Sequence, residues 1–97
     1  MVLNPLMADR LKKIYRHYGF THQQNKLVEE CEELVEAAQE ENWQHFVEEL
    51  ADVTVMIEQM KLELAERGLL SSYYDTINQK INRTYKKMAA EITRAYK

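Results

Sequence analysis

Asn42-Trp43-Gln44-His45-Phe46-Val47-Glu48-Glu49-Leu50-Ala51-Asp52-Val53-Thr54-Val55-Met56-Ile57 is the stretch on which the fold turns. Asn42 is a strong N-capping residue, and no Gly or Pro follows it until Gly68. The stretch therefore predicts a helix from Trp43 to Arg67, with Gly68 just past its end. At 1.5 Å per residue, such a helix is roughly 37 Å long. The side chains of Leu50 to Ile57 point in nearly every direction around it, and all but Asp52 and Thr54 are apolar. A helix that is apolar all round is a buried one. Asp52, flanked in angle by Val55 and Met56, is expected to be at least partly withdrawn from water. Such a carboxylate needs a proton, a cation or a metal to offset its lost hydration.

Outward from that helix, apolar residues recur at helical spacing on both sides. Asn4-Pro5 reads as a helix start, with Asn4 as the N-cap and Pro5 at the first helical position. Leu6, Leu11, Ile14, Tyr15 and Tyr18 then step along one face until Gly19. Thr21 and Gln24 suggest a capping box for a second helix, whose stripe runs Leu27, Cys31, Leu34, Val35 and Ala38. That stripe makes Cys31 a small core residue. Ser71 or Ser72 is expected to open a fourth helix carrying Tyr74, Ile77, Ile81, Tyr85, Met88, Ile92 and Tyr96 on one side. The connections are short, so neighbouring helices are expected to pack antiparallel. The fold expected is all-α: one compact four-helix domain over residues 1–97.

Composition excludes much else. Two Gly and one Pro in 97 residues leave too little turn chemistry for a β-sandwich or barrel, and no Gly-rich phosphate loop. A single cysteine excludes an internal disulfide and a cysteine-based zinc site. No apolar run reaches membrane-spanning length, and Met1–Leu11 lacks a basic-then-apolar leader. These features suggest an intracellular, cytoplasmic protein, with neither a membrane nor a nucleic-acid polymer as partner.

The charges are segregated. From Leu27 to Met60 there are eleven Asp or Glu and no Lys or Arg, whereas Asn78 to Lys97 holds six Lys or Arg and one Glu. Complementary solvated faces are the simplest reading of that pattern. Against it stand two acidic pairs at i, i+3: Glu30 with Glu33, and Glu49 with Asp52. Each pair shares a helix face, with Cβ atoms about 5–6 Å apart. If the two helices form an antiparallel hairpin about Asn42, the pairs meet as four carboxylates, with Glu29 beside them. A divalent cation is the simplest remedy for that repulsion. All-oxygen ligation favours Mg²⁺, with Mn²⁺ as a possible substitute. Glu63 and Glu66 have the same spacing and read as surface.

In this setting Glu29-Glu30-Cys31-Glu32-Glu33, fifteen intervening residues and Glu49-Leu50-Ala51-Asp52 resemble the EExxE…ExxD signature of the MazG-like nucleotide pyrophosphohydrolases. These enzymes form part of the all-α NTP pyrophosphatase superfamily. Tyr18-Gly19, Gln23, Lys26-Leu27-Val28 and the Lys80-Ile81-Asn82-Arg83 segment are similar too, and the likeness spans roughly Gly19 to Lys87. The resemblance implies hydrolysis of a nucleoside triphosphate between its α and β phosphates, with Mg²⁺ required, in a homodimer or homotetramer. It implies Glu30, Glu33, Glu49 and Asp52 as metal ligands, and Glu29 as the acid that orients or deprotonates the attacking water.

Phosphoryl transfer also needs positive charge on the phosphate oxygens. Lys80 and Arg83 share one face of the fourth helix and are expected to grip the β and γ phosphates. Lys87 and Arg94 read as a solvated stripe. Trp43, near the acidic pairs, is the candidate on which a base stacks. His45 precedes Glu49 by four residues and reads as surface, with a supporting contact to Glu49 as its other possibility. Two other functions fit an acidic helical protein: a non-catalytic dimerisation and interaction module, and a carboxylate-bridged di-iron bundle. The second is disfavoured because no ExxH motif occurs.

Overall fold

A computed structural model describes residues 3–96. Met1, where the stretch read as lacking a leader begins, lies outside the described residues, as do Val2 and Lys97. Four helices and no strands occur among the described residues: α1 (Pro5–Tyr18), α2 (Phe20–Gln39), α3 (Trp43–Glu66) and α4 (Leu70–Ala95). The chain divides into two compact units, Met1–Glu63 and Leu64–Lys97.

Local chemistry sets most helix ends. The Asn4 side chain accepts from the Met7 N–H at 2.9 Å, with Pro5 at the start of α1. Asn42 does the same for the His45 N–H at 3.1 Å, opening α3. Gly19 and Gly68 take φ of 83° and 70°, the left-handed region that side-chain-bearing residues avoid. Gly19 ends α1 and also opens α2, so α2 begins at Phe20 and has no side-chain cap. The Thr21–Gln24 capping box therefore does not form. Likewise α4 begins at Leu70 after Leu69, ahead of both serines, and has no side-chain cap.

In the first unit the buried residues of α2 are Gln23, Glu30 and Ala37, spaced by seven, which is two helical turns. Their partners on α3 are Val53, Met56 and Gln59, and α1 adds Tyr15. The Tyr15 hydroxyl donates to Glu63 Oε2 at 2.6 Å, so Glu63 is tied to α1 rather than standing free at the surface.

Two expectations about burial are corrected. Leu50, Val55 and Ile57 are 45%, 43% and 38% exposed, so α3 is not enclosed on all sides. Cys31, expected in the core, is exposed, whereas Asp52, exposed as a residue, keeps its carboxyl partly withdrawn from water as expected. The common reason is that α3 faces α2 along one seam, and the predicted α2 stripe is rotated from the seven-residue row that meets it.

In the second unit, α4 has no buried residue. Its apolar row is open to solvent, with Ile81 at 61%, Tyr85 at 64% and Ile92 at 50%.

Candidate functional site

The α2–α3 hairpin brings the acids together. Gln23 Nε2 donates to Gln59 Oε1 at 2.7 Å, and Glu30 lies beside Asp52. Both pairs are symmetric about position 41, which is the signature of two antiparallel helices joined at Glu40-Glu41-Asn42. Because Glu30 lies two turns after Gln23, it shares the face turned toward α3 and is 7% exposed. Glu29, about 100° away around the helix, is exposed.

Glu30, Glu49 and Asp52 each offer one oxygen, and these atoms all lie within 4.8 Å of one another. Glu33 is exposed and outside this group. Glu30 Oε2 and Glu49 Oε2 are buried and have no hydrogen-bond partner. Buried carboxylate oxygens are costly to leave unsatisfied. Two of them in an all-oxygen donor set fit a hard divalent cation.

Three neighbours tune the group. Lys26 Nζ stands 3.2 Å from Glu30 Oε1 and 3.6 Å from Glu29 Oε2. The Glu30 contact chiefly holds the Lys26 ammonium above its usual range, with Glu29 adding to it. His45 lies 2.7 Å from Glu40 and 3.4 Å from Glu49 Oε1. Its proton affinity is raised, first by the hydrogen bond to Glu40, against some loss of hydration and with help from Glu49. Asp52 is pushed above the ordinary carboxylate range, foremost by lost hydration and then by the negative charge of Glu30. Although the residue as a whole is exposed, the carboxyl is turned toward the cluster, which is the part that titrates.

Trp43 is 80% exposed, packs edge-on against Phe46 at 5.8 Å and borders a cavity of about 430 Å³ with Ala37 and Asn42. Lys80 and Arg83 are exposed on α4, in the second unit. Lys26 has no assigned role in the sequence reading, yet its spacing of three and four residues from Glu29 and Glu30 is a helical ion-pair signal.

A family model for phosphoribosyl-ATP pyrophosphohydrolase matches residues 2–66. The chain belongs to this family. Phosphoribosyl-ATP pyrophosphohydrolases are hydrolases of phosphoric anhydrides within the MazG-like all-α NTP pyrophosphatase superfamily, and they are in general metal-dependent. Membership makes this chain an enzyme of that class rather than a non-catalytic module. The pyrophosphohydrolase match takes in α1, α2 and α3, hence all the acids of the cluster, and it ends before Lys80 and Arg83. Comparison with curated proteins and with solved structures gives no match. Among the described residues, no helix is long and apolar enough to cross a membrane.

Proposed function

We propose that this pyrophosphohydrolase cleaves the α–β phosphoanhydride of a nucleoside triphosphate, giving a monophosphate and pyrophosphate, with Mg²⁺ as its metal and Mn²⁺ as a substitute. The observation that carries the reading is the pair of buried, partnerless oxygens of Glu30 and Glu49 beside the Asp52 carboxyl. Those three residues would hold the cation, and Glu33, one helical turn after Glu30, is the fourth ligand of the proposal. When bound, a divalent cation supplies charge neutralisation at the phosphates and a more acidic water. Glu29, exposed and next to Lys26, orients the attacking water and takes its proton. Lys80 and Arg83 bind the outer phosphates and stabilise the leaving pyrophosphate.

Phosphoribosyl-ATP is a second substrate reading, favoured by the description of the family itself. It carries the same triphosphate, so the same acids serve. The test is incubation with a panel of NTPs, dNTPs and phosphoribosyl-ATP, reading pyrophosphate against single phosphate. Pyrophosphate with the matching monophosphate supports the proposal. Release of single phosphate, or none from any substrate with Mg²⁺ or Mn²⁺, overturns it.

Assembly into a homodimer or homotetramer belongs to the same proposal. It is supported by the uncovered apolar row of α4, which water disfavours. Sedimentation equilibrium tests it.

A further inference from the structure

A second cavity, of about 550 Å³, lies beside the acidic cluster and is bordered by Tyr18, His22, Gln23, Asn25, Lys26, Glu29 and Met56. That volume is within the roughly 300–1,000 Å³ typical of small-molecule sites. It shares Lys26 and Glu29 with the candidate site, and Lys26 reaches Glu30 at 3.2 Å. One wall is aromatic. Gly19 turns the chain so that the Tyr18 ring stacks on His22, 4.7 Å between centroids and 18° from parallel. Tyr18 remains 50% exposed.

The polarity of the other wall follows from a chain of buried hydrogen bonds. The Val55 carbonyl can only accept, so Gln59 turns its Nε2 toward it, at 3.4 Å, and toward Met56 Sδ at 3.6 Å. Gln59 Oε1 is then the acceptor for Gln23 Nε2 at 2.7 Å. Gln23 is left with Oε1 facing His22 Nδ1, also at 2.7 Å. An amide oxygen has no hydrogen to give, so His22 Nδ1–H is the donor. In that tautomer Nε2 carries no proton and is an acceptor. Gln59 is 1% exposed and Gln23 4%, so neither amide can turn over without leaving a buried group unpaired.

We propose that this cavity takes the base of the nucleotide, and that the His22 acceptor selects a base with an exocyclic amino group, adenine or cytosine, over its oxo counterpart. The inference rests on the pyrophosphohydrolase reading for the ligand being a nucleotide. A flat ring suits the Tyr18 and His22 wall, an amino N–H suits Nε2, and Lys26 stands on the side from which the phosphates continue toward the acids. The base is thereby assigned to this cavity, with Trp43 bordering the other one.

The test is titration calorimetry of the full chain with AMP against IMP and with CMP against UMP, pairs that exchange an amino group for an oxo group. AMP and CMP are expected to bind about five- to tenfold tighter, the worth of one hydrogen bond. His22→Phe keeps a ring against Tyr18 and removes the acceptor, so it should bring each pair to equal affinity, with its helicity checked by circular dichroism. Equal affinity within the wild-type pairs, or binding of neither member, overturns the inference. So does a preference that survives in a folded His22→Phe. The wild-type comparison decides alone if the variant does not fold. Pyrophosphate release is scored separately: an amino preference without it overturns the catalytic reading and leaves the cavity, and release with equal pairs does the reverse.

Discussion

Lys26 holds one oxygen of Glu30 at 3.2 Å and leaves the other buried without a partner. The carboxylate is thus half-satisfied, and Glu30 also contributes one oxygen to the group shared with Glu49 and Asp52. A lysine one turn away restrains Glu30 without completing it, which suits a ligand that must stay open to a cation.

Metal should stabilise the folded chain. At a hundredfold excess over Kd, a ligand of the native state adds about 2.7 kcal/mol. For a chain of this size, that shifts Tm by on the order of 10 °C. Scanning fluorimetry with and without Mg²⁺ should show this rise for the wild type and little of it for Glu30→Gln. In EDTA, Glu30→Gln should melt no lower than the wild type, because the substitution relieves the repulsion with Asp52. Its turnover should fall by about a hundredfold or more.

Asp52 gives the metal-free protein a pH dependence of definite sign. The unfolded carboxyl ionises near the ordinary 3.8, and the folded one ionises higher. Between the two, the folded state binds more protons than the unfolded state, so stability falls as pH rises through that window. Melts in EDTA from pH 3 upward, compared with Asp52→Asn, should show the decline in the wild type and a flatter curve in the variant. With Mg²⁺ present the trend should reverse, since the ligand must be ionised.

Asn42 caps the helix that carries Glu49 and Asp52. Replacing it with Ala removes the acceptor for the His45 N–H and should cost about 1 kcal/mol, seen as a Tm lower by roughly 5 °C. Pyrophosphate release at a temperature below both transitions should change less than twofold.

The Tyr15–Glu63 hydrogen bond lies away from the acidic cluster. Tyr15→Phe should destabilise the fold by about 1–2 kcal/mol, because a charged acceptor loses a donor. Denaturant melts measure it, and Mg²⁺ affinity should be unaltered.

Lys80 tests the role proposed for α4. Lys80→Ala should raise KM by about tenfold, with kcat changed less, if the ammonium binds the substrate phosphates in ground and transition states alike. Steady-state kinetics with Mg²⁺ separate the two constants. An unchanged KM would remove Lys80 from the phosphate site.

Legibility in the sequence tracks the range of the forces involved. The Asn4 and Asn42 caps and the two glycine stops are decided by neighbours within one turn, and they stand where the sequence puts them. Thr21 also has local cap chemistry, yet Gly19 with its positive φ starts α2 first. Cys31 lies on a stripe of the right period but away from the Gln23–Glu30–Ala37 row that meets α3. The sequence names an amphipathic face only to within a rotation, and packing fixes the rotation.

By itself the sequence determined four helices, their stops, the segregated charge and the two acidic pairs, because helical geometry spaces side chains the same way wherever the helix lies. Only the tertiary structure decided that Glu30 is buried while Glu29 is exposed, that Gln23 meets Gln59, and that Asp52 keeps water on one side. Those outcomes depend on the antiparallel register of α2 against α3, which rests on contacts between residues far apart in the chain.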